Sequence, residues 1–204
     1  MILPSTSDIL TYLYWMLLFL VTGGSLFFAV LAFRLQKQRY AIISAGALAA
    51  ALVIAAVPMP VGPSAFSIVL GMLALALAVV GGGPMAVLAL SLATKNSVPP
   101  GTHGGIMVED GDGDGDGQGG TTPAPAVHEV LRGGLTIGIL ERLAVAGAIL
   151  AGFPEAIAVV VAIKGVGRFT ELSAAEARER FIIGTFASLI WACACAALVR
   201  IAVS

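Results

Sequence analysis

The chain has 204 residues, 58% hydrophobic and 11% charged, with a net charge of −1 and a mean hydropathy of +0.99. Soluble domains carry about 25% charged residues, so this composition excludes a soluble globular domain and points to a polytopic membrane protein. The few charges are sorted by segment rather than pooled, which gives no reason to expect a nucleic-acid partner. The lipid bilayer is the expected environment, with a membrane-protein partner or a second copy as possible company.

Residues 1–11 carry one charge, Asp8, and no basic leader. The first apolar run, about Tyr12 to Phe33, is too long for the core of a cleaved signal, and Arg34, Lys37 and Arg39 follow it. That is the pattern of an uncleaved anchor with its basic flank in the cytoplasm. Tyr12, Tyr14 and Trp15 sit at the other end, where an interfacial aromatic belt is expected. Thr22-Gly-Gly-Ser25 in mid-run is either a close-packing notch or a kink lining a cavity.

Ala41–Val57 forms the second span, ended by the prolines of Pro58-Met-Pro-Val-Gly-Pro63; proline lacks the N–H a helix needs to continue. The third span runs from Ser64 to about Val80. Gly81-Gly-Gly-Pro84 then reads as a break, and Met85–Thr94 as a half-helix that either continues the third span after a kink or lies at the inner surface. Residues 95–130 are rich in Pro, Gly and Asp and cannot bury enough apolar surface to offset the entropy of ordering, so they read as a disordered cytoplasmic loop. Ala126–Arg132 could form a short lead-in helix.

Gly134–Ala151 is the fourth span, and Gly152-Phe-Pro154 makes a tight turn into a fifth that runs to about Phe169. Ser173 with Glu176 forms a capping box, so a last helix starts near Ala174, enters the membrane at Phe181 and spans to about Ala202. The chain thus reads as all-α: a polytopic membrane helix bundle of about six transmembrane helices, with membrane halves 1–94 and 131–204 joined by the loop. With six spans and both termini outside, Arg34, Lys37, Arg39, Lys95, Arg132, Arg168, Arg178 and Arg180 fall in the cytoplasm, as the positive-inside rule asks of a plasma-membrane protein.

The candidate site lies in the fourth and fifth spans. Glu141 and Arg142 sit near the middle of a span, where an arginine costs roughly 2.5–3.5 kcal/mol on insertion scales. Glu141 is twelve residues before Phe153 and Lys164 eleven after it, so at 1.5 Å per residue they reach nearly the same depth on antiparallel helices. Gly134, Gly138, Glu141, Val145, Ala148 and Gly152 share one face, a seam of small residues that turns the carboxylate into the bundle. Arg142 lies about 100° round the helix and could reach Glu171 or Glu176, or snorkel to the surface. Two readings stay open: a buried ionic clasp of Glu141, Arg142 and Lys164 that fixes the bundle's register, or a proton or ion path, or headgroup pocket, lined by the same charges, with Arg168 at the inner end of the fifth span counted in the candidate ionic site. Lys164 could also snorkel alone.

Other motifs carry less. Asp110-Gly-Asp-Gly-Asp-Gly115 imitates half of a calcium loop but puts Thr121 where a bidentate glutamate is required. His103 and His128 have no ligand spacing, and Cys193 and Cys195, two apart on a helix, point in different directions. No cofactor, metal or enzymatic activity is expected, and a lipid-acting enzyme is the weakest alternative because no nucleophile set is visible.

Gly81-Gly-Gly-Pro84, Arg132-Gly-Gly134, Ile139-Leu-Glu-Arg142, Pro154-Glu155, Ala162-Ile-Lys-Gly-Val-Gly-Arg-Phe169 and Glu179-Arg-Phe-Ile-Ile-Gly-Thr-Phe-Ala-Ser188 together resemble a family of uncharacterised bacterial integral membrane proteins. The resemblance covers roughly residues 81–195, and the last three motifs also resemble the C-terminal membrane segment of another bacterial domain of unknown function. It implies boundaries and site residues but no activity. In its last motif Gly184, Thr185 and Ser188 are expected to pack on, or hydrogen-bond with, the charged hairpin. The leading expectation is a non-enzymatic structural or accessory subunit; the rival is a small transporter or channel-like protein coupling protons or ions through Glu141 and Lys164.

Overall fold

The computed structural model describes residues 6–59, 62–93, 107–108, 128–129, 134–168 and 175–204. Among the described residues there are six helices: α1 Thr6–Leu35, α2 Gln38–Ala55, α3 Ser64–Ala93, α4 Gly134–Ala151, α5 Ala156–Arg168 and α6 Ala175–Ala202. Two short strands, β1 Met107–Val108 and β2 His128–Glu129, pair antiparallel. Five of the helices are long and apolar enough to cross a membrane. The fold is an all-α membrane bundle. The exception is α5, whose 13 residues rise about 20 Å, short of the roughly 30 Å hydrocarbon core.

The apolar residues run all round these helices, so the face each one buries is set by small and polar residues rather than by hydrophobicity alone. In lipid, helices associate through close packing and interhelical hydrogen bonds. At the α1–α2 contact Ser25 donates to the Ser44 carbonyl at 2.8 Å and Ser44 donates to the Ser25 carbonyl at 2.9 Å. Both serines are buried, as is Thr22, while Gly23 and Gly24 face open space. The Thr22–Ser25 stretch is therefore a packing notch in an unbroken helix, and its serines make it. Ser44→Ala is expected to lower stability by about 0.6 kcal/mol, the typical worth of such a bond in a membrane bundle; thermal unfolding in detergent checks this, with Ser67→Ala, exposed and bonded within its own helix, as the unchanged control.

Three expectations are corrected. The Gly81–Pro84 run does not break the third span, because α3 passes through Pro84 as one helix and Met85–Ala93 is its last part, with no separate half-helix. Packing overrides propensity here: Gly81 and Gly82 are buried, and a Cβ on either would collide with Trp191 or Arg142. The aromatic cluster is only partly a belt. Tyr12 is exposed, but Trp15 is fully buried, ringed by Tyr14, Phe19 and Phe66. Phe169, where the fifth span is expected to end, lies outside the described residues. Within the expected lead-in helix Ala126–Arg132, residues 128–129 are extended and pair with β1, since an extended segment can satisfy its backbone groups on a neighbouring strand. The remainder of the 95–130 loop, Ser173 of the capping box and the Glu176 side chain lie outside the described residues.

The core runs along α1, α2, α3, α4 and α6, with Leu18, Leu48, Leu70, Leu77, Val145 and Leu198 among its buried side chains. The α1–α2 connection is only Gln36 and Lys37. Gln36 adopts φ 52°, and its side-chain amide donates to the Phe33 carbonyl at 2.7 Å, closing the end of α1. α4 packs against α3 and α6, and α5 lies along α4 at the edge of the bundle.

Candidate functional site

α4 buries two adjacent residues per turn because it is wedged between two helices: Glu141 and Arg142, then Val145 and Ala146. The small-residue seam read from the sequence is thus one side of a wider buried stripe. Glu141 and Lys164 form a salt bridge, as their equal depth on the hairpin predicts. The Lys164 ammonium also lies 5.5 Å from the centre of the Phe181 ring of α6, within the range at which a ring face attracts a cation. One lysine thereby ties α5 to both α4 and α6.

Arg142 goes the other way. It neither snorkels nor reaches towards the α6 start, but enters the bundle and is 5% exposed. Its Nε donates to the Val79 carbonyl of α3 at 2.9 Å, and its Nη1 donates to the Ser188 hydroxyl of α6 at 3.1 Å. Room for the side chain comes from glycines. A Cβ on Gly82 would lie 2.1 Å from Arg142 Cδ, and one on Gly138 would lie 3.1 Å from Nη1. The physical reason for the inward course is solvation: in lipid a guanidinium needs hydrogen-bond acceptors, and α3 supplies one at Val79. Two α3 carbonyls in the turns before Pro84 accept side-chain donors. Val79 takes Arg142, and Leu77 takes Trp191 Nε1 at 3.0 Å.

Of the residues expected at the site, Glu141, Arg142, Lys164, Gly138 and Ser188 are brought together. Gly134 is half-buried at the start of α4. Gly184 faces Leu90 and Ala86 of α3 rather than the hairpin, and Thr185 is half-buried on α6. Arg168 is the last described residue of α5, and its side chain lies outside the described residues. Sequence reasoning missed Val79, Gly82, Phe181 and Trp191. The signal for Gly82 was present, since three glycines beside a proline inside an otherwise continuous apolar run can mark close helix approach as well as a stop. Trp191 is expected to contribute modestly through its polar edge: Trp191→Phe should lower stability by about 1 kcal/mol, read as a shift in detergent unfolding.

Chemically, the arrangement pairs one carboxylate with one ammonium and lodges a guanidinium between a carbonyl and a hydroxyl. Ser188 is engaged by a cation, with no base beside it in these contacts. Among the described residues no group of three or more His, Cys, Asp or Glu could hold a metal ion. Cys193 and Cys195 are free thiols, the second fully buried. Compared with protein-family models, with curated proteins and with solved structures, the chain matches none.

Proposed function

We propose that this protein is a structural or accessory subunit of a bacterial plasma membrane, without enzymatic chemistry of its own, and that it belongs with the integral membrane proteins its 81–195 motifs resemble. In this reading the charged residues are a clasp. Arg142 pins α4 to α3 and α6, and the Glu141–Lys164 pair holds the short α5 against the bundle. The observation that carries the reading is the engagement of the Arg142 guanidinium by Val79 and Ser188 inside a glycine cradle. A charge held by packed helices on every side supports a fixed fastening better than a relay. The basic ends of α1, α2 and α6 favour the cytoplasmic side for that face, which leaves both termini outside.

The rival reading, proton or ion coupling, draws on one feature: Lys164 sits on the peripheral helix and keeps 15% of its side chain exposed. The double variant Glu141→Leu/Lys164→Leu separates the two. Replacing a buried ion pair by apolar groups is often neutral or stabilising, so a clasp predicts a folded variant, with wild-type and variant proteoliposomes both passing protons and monovalent ions no faster than protein-free liposomes. Coupling predicts a flux in the wild type that disappears in the equally folded variant, and that result would overturn the proposal.

A further inference from the structure

The charges inside the bundle do not balance. Arg142 and Lys164 are cations there, and Glu141 is the sole acid: the rest of the 12 acidic residues lie in the first turns of helices or between helices. Glu141 is committed to Lys164. The Arg142 guanidinium therefore has neutral partners only, the Val79 carbonyl and the Ser188 hydroxyl. Among the described side chains the next acid along α6 is Glu179, nine residues before Ser188 and about 14 Å away in helix rise. An arginine carries five N–H donors and keeps its proton in a protein. Two of those of Arg142 are engaged, while one at Nη1 and both at Nη2 meet no acceptor among the described residues. The side chain is 5% exposed, and in a bundle surrounded by lipid such donors need acceptors and such a charge needs a counter-charge.

We infer that a compact monovalent anion of the halide class completes the clasp, held by Nη2 and the second N–H of Nη1 of Arg142. The inference rests on the clasp reading and names the ligand that balances it. One negative charge brings the buried set to neutrality, whereas a divalent anion would leave an imbalance of the opposite sign. The burial of Arg142 selects a small ion over a bulky one. Residues without side chains keep this edge of the guanidinium uncrowded. On α4, a Cβ at Gly138 would lie 3.1 Å from Nη1 and 3.7 Å from Nη2. On α3, Gly83 is one turn on from Val79 and half-buried, and a Cβ there meets nothing within 4 Å. A charged N–H donor makes a stronger bond than a neutral one, and a halide accepts such bonds from any direction. The ion is a fixed counter-charge and not a transported one.

The test is thermal unfolding of the full-length protein in detergent, purified with gluconate as the anion and titrated with chloride or bromide at constant ionic strength. A ligand that binds the folded state alone raises the unfolding temperature saturably, here by about 5 °C at a hundredfold excess over its dissociation constant. The wild type should show that saturable rise with either halide. Gly138→Ala, which crowds the free edge of the guanidinium, should raise the half-saturating concentration at least tenfold. Arg142→Met should lose the response altogether, and if it yields no folded protein Gly138→Ala decides. The same unfolding temperature for the wild type in gluconate and in halide overturns the inference. So does a halide response that either variant keeps at wild-type strength. Unfolding in gluconate reads the clasp separately: wild-type protein that ignores halide, while Gly82→Leu destroys the fold in gluconate, keeps the clasp and removes the anion.

Discussion

Gly82→Leu abolishes the folded protein, whereas Gly83→Leu, one position along, leaves it intact. The two substitutions add the same side chain to the same helix and change helix propensity alike, so the difference isolates packing. A Cβ at Gly82 alone would sit 2.1 Å from Arg142 Cδ and 3.1 Å from the Ser188 hydroxyl, while a Cβ at Gly83 meets nothing within 4 Å. Arg142 cannot slide aside without giving up Val79, because its Nε is fixed at 2.9 Å from that carbonyl. Overpacking costs about 1–3 kcal/mol, and a guanidinium separated from its acceptors in lipid adds more, which together approach the whole stability of a marginal bundle. The readout is the monodisperse fraction in mild detergent. Adding Arg142→Ala to Gly82→Leu should restore part of it by vacating the space. Comparable yields from the two leucine variants would show that Arg142 does not occupy the cradle.

The second large effect is local rather than global. Glu141→Gln leaves the Lys164 ammonium facing an uncharged amide, and breaking a buried pair from one side costs about 3–5 kcal/mol. The protein has a cheaper alternative to bearing that cost. α5 is short, most of its residues face outward, and it is joined to the bundle along α4 and through Lys164 on Phe181. Once the pair is gone, α5 can leave α4 and carry Lys164 to the membrane surface. Hydrogen exchange should therefore speed up roughly a hundredfold or more in α5, with α1, α3 and α6 unchanged. Uniform loss of protection across all six helices would count against α5 as a separable unit.

What could be read from the chain and what could not divides along a physical line. Depth was legible: Glu141 and Lys164 are placed by counting from Phe153, because helix rise is constant, and the pair forms as counted. Azimuth was harder. Arg142 follows Glu141 directly, and nothing in the apolar pattern of Gly134–Ala151 distinguishes a side facing α3 from one facing lipid, since both are equally apolar. The outward expectation for Arg142 failed on that ambiguity. Gly81-Gly-Gly-Pro84 failed for a related reason: local preference favours a stop, and only the arrival of Trp191 and Arg142 from other helices makes the glycines more useful inside α3 than after it. Partners brought from far along the chain, Val79 for Arg142 and Leu77 for Trp191, leave no trace in local composition.

The 23 positions that separate Glu141 from Lys164 also impose a schedule on biosynthesis. At roughly 5–20 residues per second, a ribosome makes the carboxylate about one to five seconds before the amine that neutralises it. For that interval α4 holds an unmatched acid, and α5 on its own is too brief a segment to be threaded across. The two must therefore partition from the insertion machinery together, as a preassembled pair, after Arg168 has emerged.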